Sequence, residues 1–114
     1  MVQSNGVVSQ MRKGALEYCI LALLRDRNRY GLEMISALRG VDGMLVADGT
    51  LYPILSRLKA GGRVRSYLEE SGNGPARKYY GLTSAGEAAL REFEEHWSGF
   101  KRSVDMILVD GGKL

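Results

Sequence analysis

The sequence has one cysteine, one histidine and no long apolar segment, and each scarcity excludes a class of protein. Cys19 cannot form an intrachain disulfide, which is typical of proteins in a reducing cytosol. His96 lacks the co-ligands that a metal site needs, so we expect no metal. The longest apolar stretch, residues 16–24, contains Glu17 and is shorter than the roughly 20 apolar residues that cross a bilayer. The sequence therefore predicts no membrane-spanning segment.

Signals for export and for catalysis are also missing. The first eleven residues contain no basic segment followed by an apolar stretch, so we expect no signal peptide and a cytoplasmic protein. No glycine-rich phosphate loop is present, and no nucleophile can be paired with a general base. We therefore expect a protein that is not an enzyme and that carries no cofactor.

Charge is distributed unevenly along a chain of 114 residues, a length typical of one small domain with one appended element. Residues 1–83 hold twelve Lys and Arg against seven Asp and Glu, which leaves a net charge of +5. Residues 84–114 hold four against six, which leaves −2. A basic body followed by an acidic segment indicates a polyanionic partner for the body and a different role for the end of the chain.

The chain starts irregularly and then shows helical spacing. Residues 1–10 have no clear period and are interpreted as a flexible N-terminal arm. From Met11 onward, apolar residues share one face of a predicted helix: Leu16, Cys19, Ile20, Leu23 and Leu24. A polar loop over residues 25–29 ends this helix.

A second helix is predicted to open at Tyr30-Gly31. Its apolar residues also follow helical spacing, and they are Leu32, Ile35 and Leu38. Gly40 is the expected end of this helix, and Gly43 predicts a bend in the loop over residues 41–46.

The segment 48–59 combines an apolar helical face with one rich in hydrogen-bond donors. Apolar residues at i, i+3, i+4 and i+7 are Leu51, Ile54, Leu55 and Leu58. The opposite face has hydroxyls, a phenol and two cations, but no acid: Thr50, Tyr52, Ser56, Arg57 and Lys59. Such a helix can offer its polar side to phosphates and base edges, so one interpretation is a DNA recognition helix. The other is an ordinary surface helix, and this stretch alone leaves the two nearly even.

Two residues are candidate caps for this third helix. With Thr50 as the cap, Pro53 lies in the first turn, where no backbone amide is needed. With Asp48 as the cap, one backbone hydrogen bond is lost and a slight kink follows. Gly61-Gly62 is the expected end of the helix.

A change of period follows. Residues 64–68 and 76–82 alternate as strands do, and the Gly-Asn-Gly-Pro sequence at residues 72–75 predicts a loop between them. Three helices and a β-hairpin predict a mainly helical α+β fold, a winged helix-turn-helix over residues 11–83 with a two-stranded wing.

The last helix is predicted over residues 84–110, with Thr83 or Ser84 as its start and 111–114 as a tail. Its apolar residues recur in steps of 3, 4, 3, 4 and 3: Leu90, Phe93, Trp97, Phe100, Val104 and Ile107. This 3.5-residue repeat is typical of a seam against another helix, which favours a dimer interface. Packing on the helix's own domain is the alternative.

Several motifs, in order, resemble those of the PadR family of bacterial transcriptional regulators: Tyr30-Gly31, Gly49-Thr50-Leu51-Tyr52-Pro53, Arg57-Leu58, Gly61, Gly74-Pro75, Arg77-Lys78-Tyr79-Tyr80 and Leu82-Thr83. The match covers about residues 12–110. The resemblance implies a dimeric winged helix-turn-helix with a C-terminal dimerisation helix, similar to the smaller subfamily that includes multidrug-binding repressors. Gly81 departs from the more polar residue usual in the family, which predicts a weakened end to the second wing strand.

The residues and the resemblance together predict the DNA-binding site. We expect a homodimer bound to a palindromic operator in double-stranded DNA, with contacts from Tyr30, Thr50, Tyr52, Pro53, Ser56, Arg57, Lys59, Arg77, Lys78 and Tyr79. Arg57 alternatively pairs with an acid inside the domain. One of Tyr79 and Tyr80 is expected to face the core. A winged-helix module that binds another protein instead of DNA is the rival function.

The resemblance also implies an effector site for a planar aromatic molecule at the dimer seam. Its expected residues are Met11, Gly14, Tyr18, Phe93, Trp97 and Phe100. Tyr18 is bulkier than the small residue usual there, so it is expected to narrow or close the site. Alternatively, Trp97 only fills the interface.

Overall fold

Helices dominate the fold in this computed structural model, which describes residues 4–42, 44 and 47–114. The helices are α1 (Ser4–Arg12), α2 (Leu16–Leu23), α3 (Gly31–Arg39), α4 (Asp48–Ala60) and α5 (Ser84–Asp110), with a final 3₁₀ turn at Gly111–Lys113. The strands are β1 (Arg29–Tyr30), β2 (Val64–Glu69) and β3 (Arg77–Leu82). No helix in the described ranges is long and apolar enough to cross a membrane.

The core lies between α2, α3 and α4. The largest fully buried side chains are Ile20, Leu21, Met34, Leu51, Leu55 and Leu58. Tyr80 of β3 and Leu90 of α5 complete the same cluster. The predicted apolar faces of α2 and α4 meet in this core. On α3 the prediction was partly wrong: Ile35 and Leu38 are buried, but Leu32 is 62% exposed and Met34 is buried instead. Cys19 is half-buried at its margin, where burial raises the pKa of its thiol.

The sheet has three antiparallel strands in the order β1-β3-β2. Strands β2 and β3 pair from Val64 with Leu82 to Glu69 with Arg77, which confirms the predicted hairpin. Strand β1 was missed: its two residues pair with Tyr79 and Tyr80 on the other edge of β3. A strand of two residues is too short to show alternation, so the segment resembled a polar loop in the sequence.

Helix ends agree only partly with the predicted caps. Helix α4 begins at Asp48 after Ala47, so neither Asp48 nor Thr50 is the cap, and Pro53 is the sixth residue of the helix. Its end is as predicted: Gly62 has φ +76°, and the Arg63 amide donates to the Leu58 carbonyl at 2.8 Å. That bond and the Gly62 amide on the Lys59 carbonyl at 3.0 Å form a Schellman motif.

Helix α5 is anchored by its first turns. The Thr83 hydroxyl caps it by accepting from the Gly86 amide at 3.0 Å and donates to the Gly62 carbonyl at 2.6 Å. Gly86 lies so close to the Arg63 carbonyl that a Cβ would clash with it. Further along, Arg25 donates two hydrogen bonds of 3.0 and 2.8 Å to the Glu94 carboxylate, which lowers the pKa of Glu94.

The N-terminal segment differs from its prediction. Residues 1–10 were expected to form a flexible arm, but Ser4–Arg12 is a helix. Val7 and Met11 lie one turn apart and are both exposed, and two apolar residues are too few to define a helix face in the sequence. Residues 1–3 of the predicted arm and the predicted bend at Gly43 lie outside the described residues.

Candidate nucleic-acid interface

The exposed ridge of α4 is built from small residues. Gly49, Pro53, Ser56 and Ala60 recur at steps of 4, 3 and 4 on the side opposite the buried leucines, and all four are exposed. Small side chains let a helix backbone approach another surface closely. Because a major groove is about 12 Å wide and an α-helix fills most of that width, a slim ridge suits insertion into it.

One flank of this ridge carries Tyr52 and Lys59, both exposed. The ring of Tyr52 packs against Gly31 at the start of α3, where a Cβ atom would clash with the ring. The Tyr-Gly motif at residues 30–31 therefore has a steric role: glycine makes room for Tyr52, and the contact fixes the direction of its ring. Burial, together with the nearby phenol of Tyr52, raises the pKa of Tyr80.

The wing (residues 64–82) joins the same flank through aromatic rings. The ring of Tyr79 lies between those of Tyr30 (5.4 Å, edge-on) and Tyr67 (5.7 Å, stacked). Above Tyr30, the Arg77 guanidinium carbon is 4.6 Å from the ring centroid, within cation–π range. Strand alternation is confirmed in part: Tyr80 is buried in the core, while Tyr79 is half-buried in this cluster instead of facing solvent.

Gly81 does not weaken the wing. It pairs with Arg65 inside β3, which continues to Leu82, so the expectation of a weakened strand end was wrong. A Cβ at Gly81 would lie 2.5 Å from the Asn28 side-chain oxygen and 3.2 Å from Arg65 Cζ. A larger residue there would displace the ends of the Asn28 and Arg65 side chains, which cross over the strand. Arg65 also donates to the Leu82 carbonyl at 2.8 Å.

The other flank of the α4 ridge opens into a basic cavity of about 420 Å³. Its lining residues are Arg12, Lys13, Leu16, Glu17, Thr50, Pro53, Ile54 and Arg57. Three cations and one carboxylate therefore surround it. The predicted contacts Thr50, Pro53 and Arg57 meet here, whereas Arg12 and Lys13 were not predicted. Two adjacent cations before the second helix were the available signal in the sequence.

Aromatic side chains on α5 form a second assembled site. Consecutive ring centroids are 4.4 Å apart for Tyr18 and Phe93, 5.5 Å for Phe93 and Trp97, and 6.4 Å for Trp97 and Phe100. Beside them an aromatic groove of about 280 Å³ is lined by Met11, Gly14, Ala15, Phe93, His96, Trp97 and Phe100. All the predicted effector residues except Tyr18 line it. Tyr18 stacks on Phe93 instead of lining the groove.

The predicted dimer stripe divides in two. Leu90 is buried in the chain's own core, so it has no surface to offer a second chain. The remainder of the stripe beyond Phe93 is exposed, from 38% at Val104 to 63% at Phe100. In the part of the chain that the structure describes, no three His, Cys, Asp or Glu side chains lie close enough together to hold a metal ion.

Comparison with known proteins agrees with this geometry. The model of the transcriptional regulator PadR-like family matches residues 20–92. A PadR-like transcription factor from Bacteroides fragilis is 44% identical, with 90% of this chain and 98% of that chain covered and a TM-score of 0.73. A PadR-like regulator from Bacillus cereus is 35% identical, with 87% and 96% covered and a TM-score of 0.78. An uncharacterised protein of Lysinibacillus sphaericus is 31% identical over 104 residues, which are 90% of this chain and 95% of that protein. The family model and these relatives show that the chain belongs to the PadR-like family of DNA-binding transcriptional regulators and is not an enzyme.

Proposed function

We propose that the protein is a homodimeric repressor that acts in the cytoplasm on a palindromic operator. The observation that carries the proposal is the exposed small ridge of α4 with donors on both flanks. In a two-fold dimer, two such ridges enter successive major grooves about 34 Å apart. Thr50, Tyr52, Ser56 and Lys59 then donate to phosphates or base edges. Bound at a promoter, such a dimer would exclude RNA polymerase.

The wing supplies the second set of contacts. Arg77 and Lys78 are exposed, and the ring of Tyr30 holds the Arg77 guanidinium on the Tyr52 flank of α4. Half-buried Tyr30 and Tyr79 support the wing through their ring contact instead of forming a donor surface of their own. We assign Arg77 and Lys78 to the phosphates or minor groove beside the α4 groove.

Dimerisation along α5 is supported by the exposed stripe, defined as Trp97, Phe100, Val104 and Ile107. Each of these side chains is at least 38% exposed in the single chain. A second α5 packed against this stripe would remove the four side chains from water, at about 25 cal/mol for each Å² of apolar surface. Leu108 and Val109 lie at the same end of the helix and are also exposed.

An effector role for the aromatic groove is the finer part of the proposal. The groove is apolar, lies next to the exposed stripe and presents a face of Trp97 that is 40% exposed. A planar aromatic molecule stacked on Trp97 and Phe100 would contribute about 0.5–1.5 kcal/mol beyond area burial. Because the groove adjoins the dimer seam, such a molecule would alter the angle between the two DNA-binding domains.

A salt-dependent gel shift with the promoter of the protein's own gene tests DNA binding. We expect specific binding, and we expect Lys78→Ala to lower the slope of log affinity against log salt by about one unit. Binding that is absent at low salt would reject the DNA-binding role and favour a winged-helix protein-interaction module. A slope that Lys78→Ala leaves unchanged would reject only the wing contact.

Two measurements test the dimer and the effector. Sedimentation should give a dimer for the wild type and a monomer for the double variant Phe100→Glu, Ile107→Glu, with unchanged helix content. A monomeric wild type at micromolar concentration would contradict the seam. Quinoline and acridine should quench the fluorescence of Trp97, the only tryptophan in the sequence. Without quenching, Trp97 only fills the interface.

A further inference from the structure

The basic cavity brings two cations that were not predicted as DNA contacts, Arg12 and Lys13, beside the predicted contacts of α4. Lys13 follows the last residue of α1, and its amide donates to the Gln10 carbonyl at 3.3 Å. The Ala15 amide donates to the Arg12 carbonyl at 2.9 Å. Backbone hydrogen bonds therefore fix this turn beside α4, and the Lys13 side chain is exposed at the cavity.

The position of the cavity relative to α4 indicates its ligand. Thr50, Pro53 and Arg57 line it, and they recur at steps of 3 and 4 along one edge of the exposed ridge. Tyr52 and Lys59 lie on the opposite edge, which continues through Gly31 and Tyr30 to Arg77 of the wing. The ridge therefore has a cationic group on each side, one from the wing and one from the turn after α1.

A major groove is bordered by two sugar–phosphate strands, so a helix inserted in it has one strand on each side. We propose that Lys13, supported by Arg57 and Thr50, binds a backbone phosphate of the strand opposite the one that Tyr52 and the wing contact. Three cations around one carboxylate suit a phosphate oxyanion. The inference rests on the proposed insertion of α4 into the major groove.

Glu17 provides an internal control, because its substitution should change DNA affinity in the opposite direction to that of Lys13. Its carboxylate lines the same cavity, so it opposes a phosphate there. Neutralising it by Glu17→Gln should therefore strengthen DNA binding, while removing the cation by Lys13→Ala should weaken it. Opposite effects of two residues four positions apart are not expected if the α1–α2 turn only supports the fold.

The test measures DNA affinity by fluorescence anisotropy between 50 and 200 mM salt. Lys13→Ala should lower the salt slope by about 0.9, so that the wild-type advantage in affinity falls about 3.5-fold across this range. Lys13→Arg should keep the wild-type slope. Lys113→Ala, in the 3₁₀ turn beyond α5, is the matched control and should also keep it.

The outcomes distinguish the proposed phosphate contact of Lys13 from the proposed DNA-binding function. If the wild type binds DNA and Lys78→Ala lowers the slope while Lys13→Ala does not, the proposed phosphate contact is wrong and the DNA-binding role stands. If Lys13→Ala weakens binding with an unchanged slope, Lys13 acts through the fold and the proposal also fails. If the wild type does not bind DNA, both fail.

A free phosphate ion is the alternative ligand for the basic cavity. Inorganic phosphate titrated into the protein without DNA, followed by calorimetry, should give no saturable binding at millimolar concentration. Saturable binding that Lys13→Ala abolishes, together with an unchanged DNA salt slope, would overturn the proposal in favour of a small phosphate-containing ligand. Thermal unfolding of Lys13→Ala should match the wild type, because the side chain is exposed.

Discussion

The buried face of α4 and the exposed stripe of α5 both have apolar residues at helical spacing, but the first is covered by its own chain and the second is exposed to solvent. On α4, Leu51, Leu55 and Leu58 are at most 1% exposed, since they lie in the core of the same chain. On α5, Phe100 and Ile107 are more than half exposed. Helical spacing of apolar residues therefore indicates that a helix face packs against another element, but not whether that element belongs to the same chain. The following predictions test this difference, from the largest effect to the smallest.

Truncation of one residue from each region should separate folding from association. We expect Leu55→Ala to lower the free energy of unfolding by about 2–5 kcal/mol, because it leaves a cavity in a closed core. Ile107→Ala should reduce stability only at protein concentrations where the wild type is a dimer. Urea unfolding at several concentrations measures both. Equal, concentration-independent losses would contradict the distinction between the two regions.

Two glycines, one packed against a tyrosine ring and one on the exposed ridge of α4, provide a second contrast. Gly31→Ala should cost about 1–3 kcal/mol of stability and weaken DNA binding, because the new methyl group displaces the ring of Tyr52. Gly49→Ala on the exposed ridge meets no atom within 4 Å and should stabilise the helix by about 0.5–1 kcal/mol. Thermal unfolding gives both signs, and a loss at Gly49 equal to that at Gly31 would argue against the steric explanation.

The contact of Arg77 with Tyr30 should appear as a coupling in DNA affinity. In a double-mutant cycle, Tyr30→Leu and Arg77→Ala should be non-additive by about 0.5–1 kcal/mol, the strength of an exposed cation–π pair. Tyr30→Leu and Lys78→Ala form the control cycle, because Lys78 lies over Tyr80 instead. Coupling of equal size in both cycles would mean that Tyr30 acts on the wing as a whole.

An ion pair at the boundary between the two regions should make the stability of the protein depend on pH. Arg25 hydrogen-bonds Glu94 and lowers its pKa below the ordinary 4.5. A carboxylate with a lowered folded-state pKa stabilises the fold above its ordinary pKa, and that contribution is lost as the pH falls through the lowered value. The stability difference between the wild type and Glu94→Gln should therefore shrink from pH 6 to pH 3. A difference that is constant with pH would rule out this contribution. The pair is exposed, so the effect is small.

Much of the fold could be predicted because local spacing determines it. The apolar faces of α2 and α4, the β2–β3 hairpin and the span of α5 follow from periods of 3.6 or 2 and from glycine positions. On α3 the spacing also selected Leu32, which is exposed, and missed Met34, which is buried. Strand β1 could not be predicted, because it consists of two residues that pair only when β3 is beside them. Helix α1 was missed because the apolar residues of this short segment show no clear helical period.

The candidate site was predictable only where its residues share one element. Thr50, Tyr52 and Ser56 were recognisable as one polar face of α4. Lys13 was not, because 35 positions separate it from the start of α4 at Asp48 and only the folded chain brings them together at one cavity. Leu90 was misassigned for a related reason: the stripe on α5 is continuous in sequence, but the domain core ends partway along it.

Strand β3 is hydrogen-bonded on both edges, to β2 and to the two residues that lead into α3. Backbone hydrogen bonds therefore join the base of the hairpin to the helix-turn-helix. We expect the base of the hairpin and α4 to move together. If the protein is the proposed dimeric regulator, a signal that changes DNA affinity is expected to tilt or separate whole DNA-binding domains. Variants that change such a response should then cluster where α5 leaves the domain core.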